Sequence, residues 1–334
     1  MRCPRLYELP PSPWQKTGWP WTEESTPLQN LMPDGQEWPR ISIVTPSFNQ
    51  GSFIEDTIRS VLLQGYPNLE YFIFDGASID NSAEIIKKYE PWLSYWVSEP
   101  DGGQSDVINR GLKKGSGILA AWINSDDMLC RNALVEQMSR HVIRPKTVYI
   151  GICTYIDATG NILSRHRGKV HSLEDLVRVR TVWRSGSHIV QPEVLFPREL
   201  ALTVGGLDRN NYSTMDYDLW GKLLLAGATF QYSDIPFAMF REHQNQKTHD
   251  VLRQTRSLLD TAKRLVLHAD CFSEDRKNEL LADLKHYGIA YEKNHWKGSG
   301  RLARLGLPRG LVSQVRRIRA LVQQTIGVGS SYDV

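Results

Sequence analysis

Between Ile41 and Ile123, short β-rich runs alternate with segments of helical periodicity, and that alternation leaves few folds open. Ile41-Ser42-Ile43-Val44-Thr45 is followed by Phe53, Ile54, Ile58, Val61 and Leu62 at helical spacing. A strand over Glu70 to Phe74 precedes a helix over Ser82 to Tyr89, and a strand over Leu93 to Val97 precedes a helix over Gln104 to Lys114. Ile118 to Ile123 is a fourth strand, apolar enough to be buried on both faces. Strands separated by helices of this length need right-handed crossovers, which makes the sheet parallel. Every strand's carboxyl end then faces one common edge.

Polar residues gather at that edge: Ser47 and Asn49 after the first strand, Asp75, Ser78 and Asp80 after the second, Glu99 and Asp101 after the third, and Asn124-Ser125-Asp126-Asp127 after the fourth. In open α/β sheets this edge binds ligands. Two adjacent carboxylates there suit a hard divalent cation, Mg²⁺ or Mn²⁺, and hence a phosphorylated substrate. The competing reading is that Asp126 and Asp127 cap a helix beginning near Arg131. No GxxxxGK[ST] is present, and Thr45-Pro46-Ser47-Phe48-Asn49-Gln50-Gly51 is not GxGxxG. A backbone cradle for phosphate is therefore absent, and a cation held by Asp126 is the natural substitute.

Composition separates three regions. Residues 1–39 are rich in Pro and Trp, which disfavours regular structure and predicts an extended arm that docks its aromatics on the domain or a partner. Residues 40–243 carry the strand–helix alternation, and residues 244–334 read as a mostly helical extension. From Lys297 to Gly329 there are seven basic residues and no acid, interleaved with Leu, Val and Ile. Such a segment fits an anionic membrane surface or a solvated face of a packed helix. No run approaches the roughly 18 apolar residues of a membrane span, and no signal-peptide pattern opens the chain. The expected location is cytoplasmic, with peripheral association at the inner face of the plasma membrane. Cys3, Cys130, Cys153 and Cys271 show no CxxC pairing and are expected to be reduced thiols.

Four of these segments, Ile41 to Asn49 (ISIVTPSFN), Phe72 to Asp80 (FIFDGASID), Asp101 to Gly111 (DGGQSDVINRG) and Ile123 to Asp127 (INSDD), resemble the successive nucleotide-sugar motifs of the family 2 glycosyltransferases. The resemblance extends through Gly205 to Gly227. It implies a GT-A fold, a mostly parallel Rossmann-like sheet flanked by helices, with a nucleotide-sugar half over about 40–127 and an acceptor half over about 128–243. It also implies inversion at the anomeric carbon.

Carried over residue by residue, the resemblance places Pro46 and Phe48 in the nucleoside pocket and makes Asp75 an acceptor for the base, which favours uridine. The family's second acid is replaced by Gly76. Ser78 and Asp80 are read as caps of the helix starting near Asn81. Asp101, Gln104 and Asp106 match positions lining the sugar-nucleotide cleft. Asn124-Ser125-Asp126 sits where the family has Asp-x-Asp: Asp126 is the expected metal ligand, Asn124 and Ser125 accompany the donor, and Asp127 is shared between support of Asp126 and the cap. Thr214-Met215-Asp216-Tyr217-Asp218-Leu219-Trp220 resembles the start of the catalytic helix, with Asp216 as general base and Met215 in place of Glu. In Phe240 to Thr248, His243 matches a metal or diphosphate contact, and Arg241 and Lys247 would neutralise phosphate. Trp183, His188, Gln191, Pro192 and Glu193 fall where the acceptor should approach.

The function implied is transfer of a sugar from a nucleoside diphosphate, expected to be UDP, to a glycan or lipid-linked acceptor in cell-surface polysaccharide synthesis, with Mn²⁺ or Mg²⁺. Nucleic acid is not an expected partner. Two alternatives stay open: a nucleotidyltransferase, against which the turn Thr45 to Gly51 offers no Lys or Arg, and a non-catalytic glycan- or nucleotide-binding relative, suggested by Gly76, Asn124 and Met215.

Overall fold

β1 (Ile41–Ser47) is buried along its whole length and stands between β2 (Leu69–Asp75) and β4 (Leu119–Trp122), both parallel to it. β3 (Tyr95–Ser98) extends the parallel set beyond β2. The crossovers are α1 (Ile54–Leu62), α2 (Ser82–Lys88) and α3 (Gln104–Lys114), so the alternation read from the sequence is realised strand by strand. This computed structural model describes residues 3–244, 246 and 250–304. Pro46, which cannot donate to a ladder, is accommodated because β4 accompanies β1 only as far as Val44.

Past β4 the sheet changes character. Its order is β3-β2-β1-β4-β8-β6-β9-β5, with β7 attached to β6. β5 (Met128–Leu129), α4 (Ala133–Arg140), β6 (Thr147–Ile156), β7 (Ile162–His166), α5 (Leu173–Val177), β8 (Val194–Pro197), α6 (Arg198–Thr203), α7 (Met215–Leu225) and β9 (Thr229–Arg241) follow in the chain. β8 is antiparallel to both β4 and β6, whereas β6 and β9 are parallel. β8 pairs β4 only at Leu119 and Ala120 before its Val194 and Leu195 move across to β6. A notch opens beside Trp122, and the Gln191 amide fills it by donating to the Trp122 carbonyl at 2.8 Å.

The chain divides into two units, Met1–Gly168 with Ile189–Gln254, and Lys169–His188 with Thr255–Val334. The compositional boundaries at residues 39 and 243 are not boundaries of contact. Arm residues Trp21 and Trp38 are buried in the first unit, Trp19 packs against its core, and Trp14 is exposed. In the second unit the Ser172 hydroxyl caps α5 by accepting from Asp175 N. α8 (Val251–Leu267) buries Leu258, Leu259, Ala262, Leu265 and Val266 there, and α9 (Glu274–Arg304) buries Leu280 and Leu284. The basic segment from residue 305 onward lies outside the described residues, and no helix among those described is long and apolar enough to cross a membrane.

Candidate active site

The turn after β4 is built from side chains that hold one another. Asn124 accepts from Gln104 Nε2 at 2.7 Å and turns its own amide nitrogen toward Asp127 Oδ2 and Gln191 Oε1, 3.2 Å from each. Asp127 is buried and receives Arg241 N at 2.9 Å, while Thr57 Oγ1 donates to its carbonyl. Burial, and then the neighbouring Asp126 charge, hold the Asp127 carboxyl well above the usual carboxylate range. A cation beside Asp126 would act in the opposite sense. Ser125 is buried between these groups in sequence.

Neither acid caps the next helix. Asp127 leads straight into β5, and α4 begins only at Ala133 with Asn132 at its cap position. The helix-cap reading of Asp126 and Asp127 is thereby overturned, because a two-residue strand paired with β9 stands in between.

Asp126 faces His243 instead: His243 Nε2 lies 3.0 Å from Asp126 Oδ2, the two side chains being 7% and 18% exposed. No group of three ligand-type side chains exists among the described residues. A carboxylate with one imidazole nonetheless suits Mg²⁺ or Mn²⁺, which keep waters and substrate phosphates as their remaining ligands. The two atoms stand at hydrogen-bond distance from each other, and a bound ion would exchange that bond for a bond to each. The residues fit the ion.

Arg241 departs from its expected role. Its side chain is buried and spent inside the protein, on the Asp126 carbonyl, the Ala158 carbonyl and Asp56 Oδ2. It is not placed to neutralise a diphosphate. Lys247 lies outside the described residues. Asp56, which the sequence pattern did not single out, is the acid that Arg241 needs.

On the other side of β1, Phe48 is 61% exposed beside a tightly bonded loop, and Pro46 is buried beneath it. Asp75 accepts from Ser78 N, Ser78 Oγ and Ser98 Oγ, so its carboxylate organises this loop directly. Ser78 Oγ also receives Asn49 N, and Asp80 joins Gly51 N to the start of α2 through Ser82. Asp101 Oδ1 receives Gly103 N. A Cβ added at Gly76 would meet Asp101 Oδ2 at 3.0 Å and the Phe48 ring at 3.4 Å. A side chain at residue 76 would press on Asp101 and the Phe48 ring. Asp106 pairs with Arg209 at 2.6 Å.

α7 carries Asp216 in its first turn, half-buried, where the positive end of the helix dipole favours an anion. Its predecessor Met215 is buried and accepts a hydrogen bond from Ser105 Oγ, which accounts for an apolar residue at that position. Trp220 stacks on Trp122 at 5.7 Å between centroids and fixes α7 against β4. Glu193 lies in the core: Oε1 accepts from Val190 N, Oε2 has no partner among the described residues, and burial raises its carboxyl well above the usual range. It therefore cannot meet an acceptor, whereas Gln191 joins the Asn124 network. Trp183 and His188, with ring centroids 6.0 Å apart, belong to the second unit. A cavity of about 590 Å³ beside Lys113, Arg209 and Lys222 includes none of the expected site residues.

Curated relatives match parts of the chain. Uncharacterized glycosyltransferases of Mycobacterium tuberculosis are 36% identical over 100 residues, 30% of this chain and 38% of theirs. TuaG of Bacillus subtilis, whose name places it in teichuronic acid biosynthesis as a glycosyltransferase, is 33% identical over 103 residues, 30% of this chain and 41% of that protein. The chain thus spans about two fifths of the length of these relatives. Among solved structures, S. aureus TarS 1–349 in complex with UDP-GlcNAc aligns with a TM-score of 0.58 at 16% identity, covering 87% of this chain and 82% of that one. The mannosyltransferase PcManGT of Pyrobaculum calidifontis, in complex with GDP-Man and Mn²⁺, aligns with a TM-score of 0.50 at 17% identity, covering 95% and 92%. At such identity the likeness shows the fold, which is that of GT-A enzymes. Residues 42–202 match the family described as Glycosyl transferase family 2.

Proposed function

We propose that this chain is a metal-dependent inverting glycosyltransferase that moves a sugar from a nucleoside diphosphate, UDP-linked by preference, to a glycan or lipid-linked acceptor. The observation that carries this reading is the 3.0 Å approach of His243 Nε2 to Asp126 Oδ2 at the carboxyl end of β4. Mn²⁺ or Mg²⁺ held there would stabilise the charge that develops on the departing diphosphate. Phe48 and Pro46 offer an apolar wall to the base, and the buried Asp75 orders their loop. Asp101 and Gln104 line the cleft, and Asn124, Ser125 and Asp127 fix the turn that presents Asp126. Lys247 would add a positive charge to the diphosphate. Asp216 takes the proton of the acceptor hydroxyl as it attacks the anomeric carbon. The names of TuaG, TarS and PcManGT support nucleotide-sugar chemistry and a cell-surface polymer as the setting.

The test is turnover of UDP-, GDP- and dTDP-sugars with and without Mn²⁺, in wild type, Asp126→Ala and Asp216→Ala. Asp126→Ala should abolish the metal requirement together with activity, and Asp216→Ala should abolish transfer while nucleotide binding persists. A wild type that neither binds nor turns over any of these donors defeats the proposal.

A further inference from the structure

The Pro/Trp-rich arm precedes the family match, which begins at residue 42, yet its contacts lead to the back of the candidate metal site. Trp21 Nε1 donates to Asp56 Oδ1 at 2.8 Å, and Lys16 Nζ reaches the same oxygen at 2.9 Å. The other oxygen of Asp56 receives Arg241 Nη2 at 3.0 Å. Arg241 then donates Nε to the Asp126 carbonyl and its backbone N–H to the Asp127 carboxylate, each at 2.9 Å. The guanidinium lies 4.9 Å from the Phe53 ring centroid, and that ring lies 4.8 Å from the imidazole of His243. A second line runs from Trp19 Nε1 to the carbonyl of Leu129, two residues past Asp127, at 2.9 Å. The arm is itself pinned by Arg59, which is buried and donates to the carbonyls of Pro10, Pro20 and Trp21.

Burying Asp56 and Arg241 is costly unless every bond of the pair is made, and the arm supplies those that the family domain lacks. We propose that the arm is a positioning element of the metal site, with Trp21 and Asp56 holding Arg241 so that Asp126 and His243 converge. This rests on the metal-dependent reading above. Groups that orient metal ligands from behind typically change metal affinity 10–100-fold when removed, and Trp21→Phe deletes one such N–H while keeping the ring.

The experiment is Mn²⁺ uptake by the full chain in the presence of UDP or GDP, followed by the paramagnetic resonance of free Mn²⁺, alongside thermal melting. Trp21→Phe and the isosteric Asp56→Asn should each raise the half-saturating Mn²⁺ concentration about tenfold. Trp38→Phe should leave it unchanged, since Trp38 is equally an arm tryptophan but its indole N–H donates to the Gln29 carbonyl, away from Asp56. If Trp21→Phe and Asp56→Asn lower the melting temperature yet titrate like wild type, the arm is merely structural and the proposal is overturned. If Trp21→Phe does not fold, Asp56→Asn decides alone. Wild-type protein that takes up no Mn²⁺ with either nucleotide sinks the metal reading itself, a result separate from the behaviour of the variants.

Discussion

Lys222 Nζ stands 2.6 Å from Asp218 Oδ2, one helical turn away on α7. That ion pair commits the buried Asp218 to the helix and separates its role from that of the half-buried Asp216. Asp216→Asn should lower kcat by at least about a hundredfold, the usual scale for a lost general base, with little change in nucleotide affinity. Asp218→Asn should lower thermal stability and leave the pH dependence of kcat in place. Steady-state kinetics with melting curves distinguish them, and the reverse pattern would move the base to Asp218.

Replacing Asn124 by the Asp common in the family should damage the site. The substitution exchanges an N–H donor for an acceptor 3.2 Å from Asp127 Oδ2 and 3.2 Å from Gln191 Oε1. Two bonds become repulsions in a partly buried setting, at a cost of about 1 kcal/mol or more. Chemical denaturation of Asn124→Asp should show that loss, and activity should not rise. A more active and equally stable variant would refute the network.

Glu193 gives a pH-dependent signature. Its folded-state pKa is raised by burial, so above the unfolded value the native chain holds a proton that the unfolded chain releases. Native stability then falls as pH rises through that window. Glu193→Gln keeps the acceptor for Val190 N and removes the titration. Its melting temperature should gain on wild type from pH 5 to pH 8 and converge with it near pH 4. A constant difference across this range would show that Glu193 is ionised in the native state.

Thiol chemistry should be equally selective. Burial pushes the Cys3 and Cys130 thiols up to about 12 and raises Cys153 as well, while Cys271 is exposed. Thiolate is the reactive form. A thiol reagent at neutral pH should therefore label Cys271 in the native protein and all four cysteines after denaturation. Rapid labelling of Cys153 in the native state would contradict the burial of β6.

The first half of the sheet was legible because periodicity reports burial directly: Ile41, Ile43 and Val44 fall in β1, and Gln104–Lys114 is α3 as read. The resemblance named Asp126 and His243, but the 3.0 Å approach of their side chains had no signal in the sequence. Asp56 and Arg59 were missed because they sit among the apolar positions of α1. A pattern of charged residues on a helix reads as a solvated face, and only the arm's return over α1 shows otherwise. Arg241 was misread for the same reason, since a buried charge is identified by its partners and Asp56, its ion-pair partner, lies 185 residues away in sequence. The antiparallel entry of β8 had no local signal either, because the direction of a four-residue strand depends on where the chain returns.

The departure of β8 from β4 after Ala120 leaves the carbonyl of Trp122 to a side-chain amide rather than to a backbone ladder. Gln191 is thus a joint. One rotamer change at a single residue can uncouple the strand carrying Asp126 from the segment leading into β8, where shifting a ladder would require several backbone bonds to break together. That link rests on the two hydrogen bonds of one amide, to the Trp122 carbonyl and from Asn124.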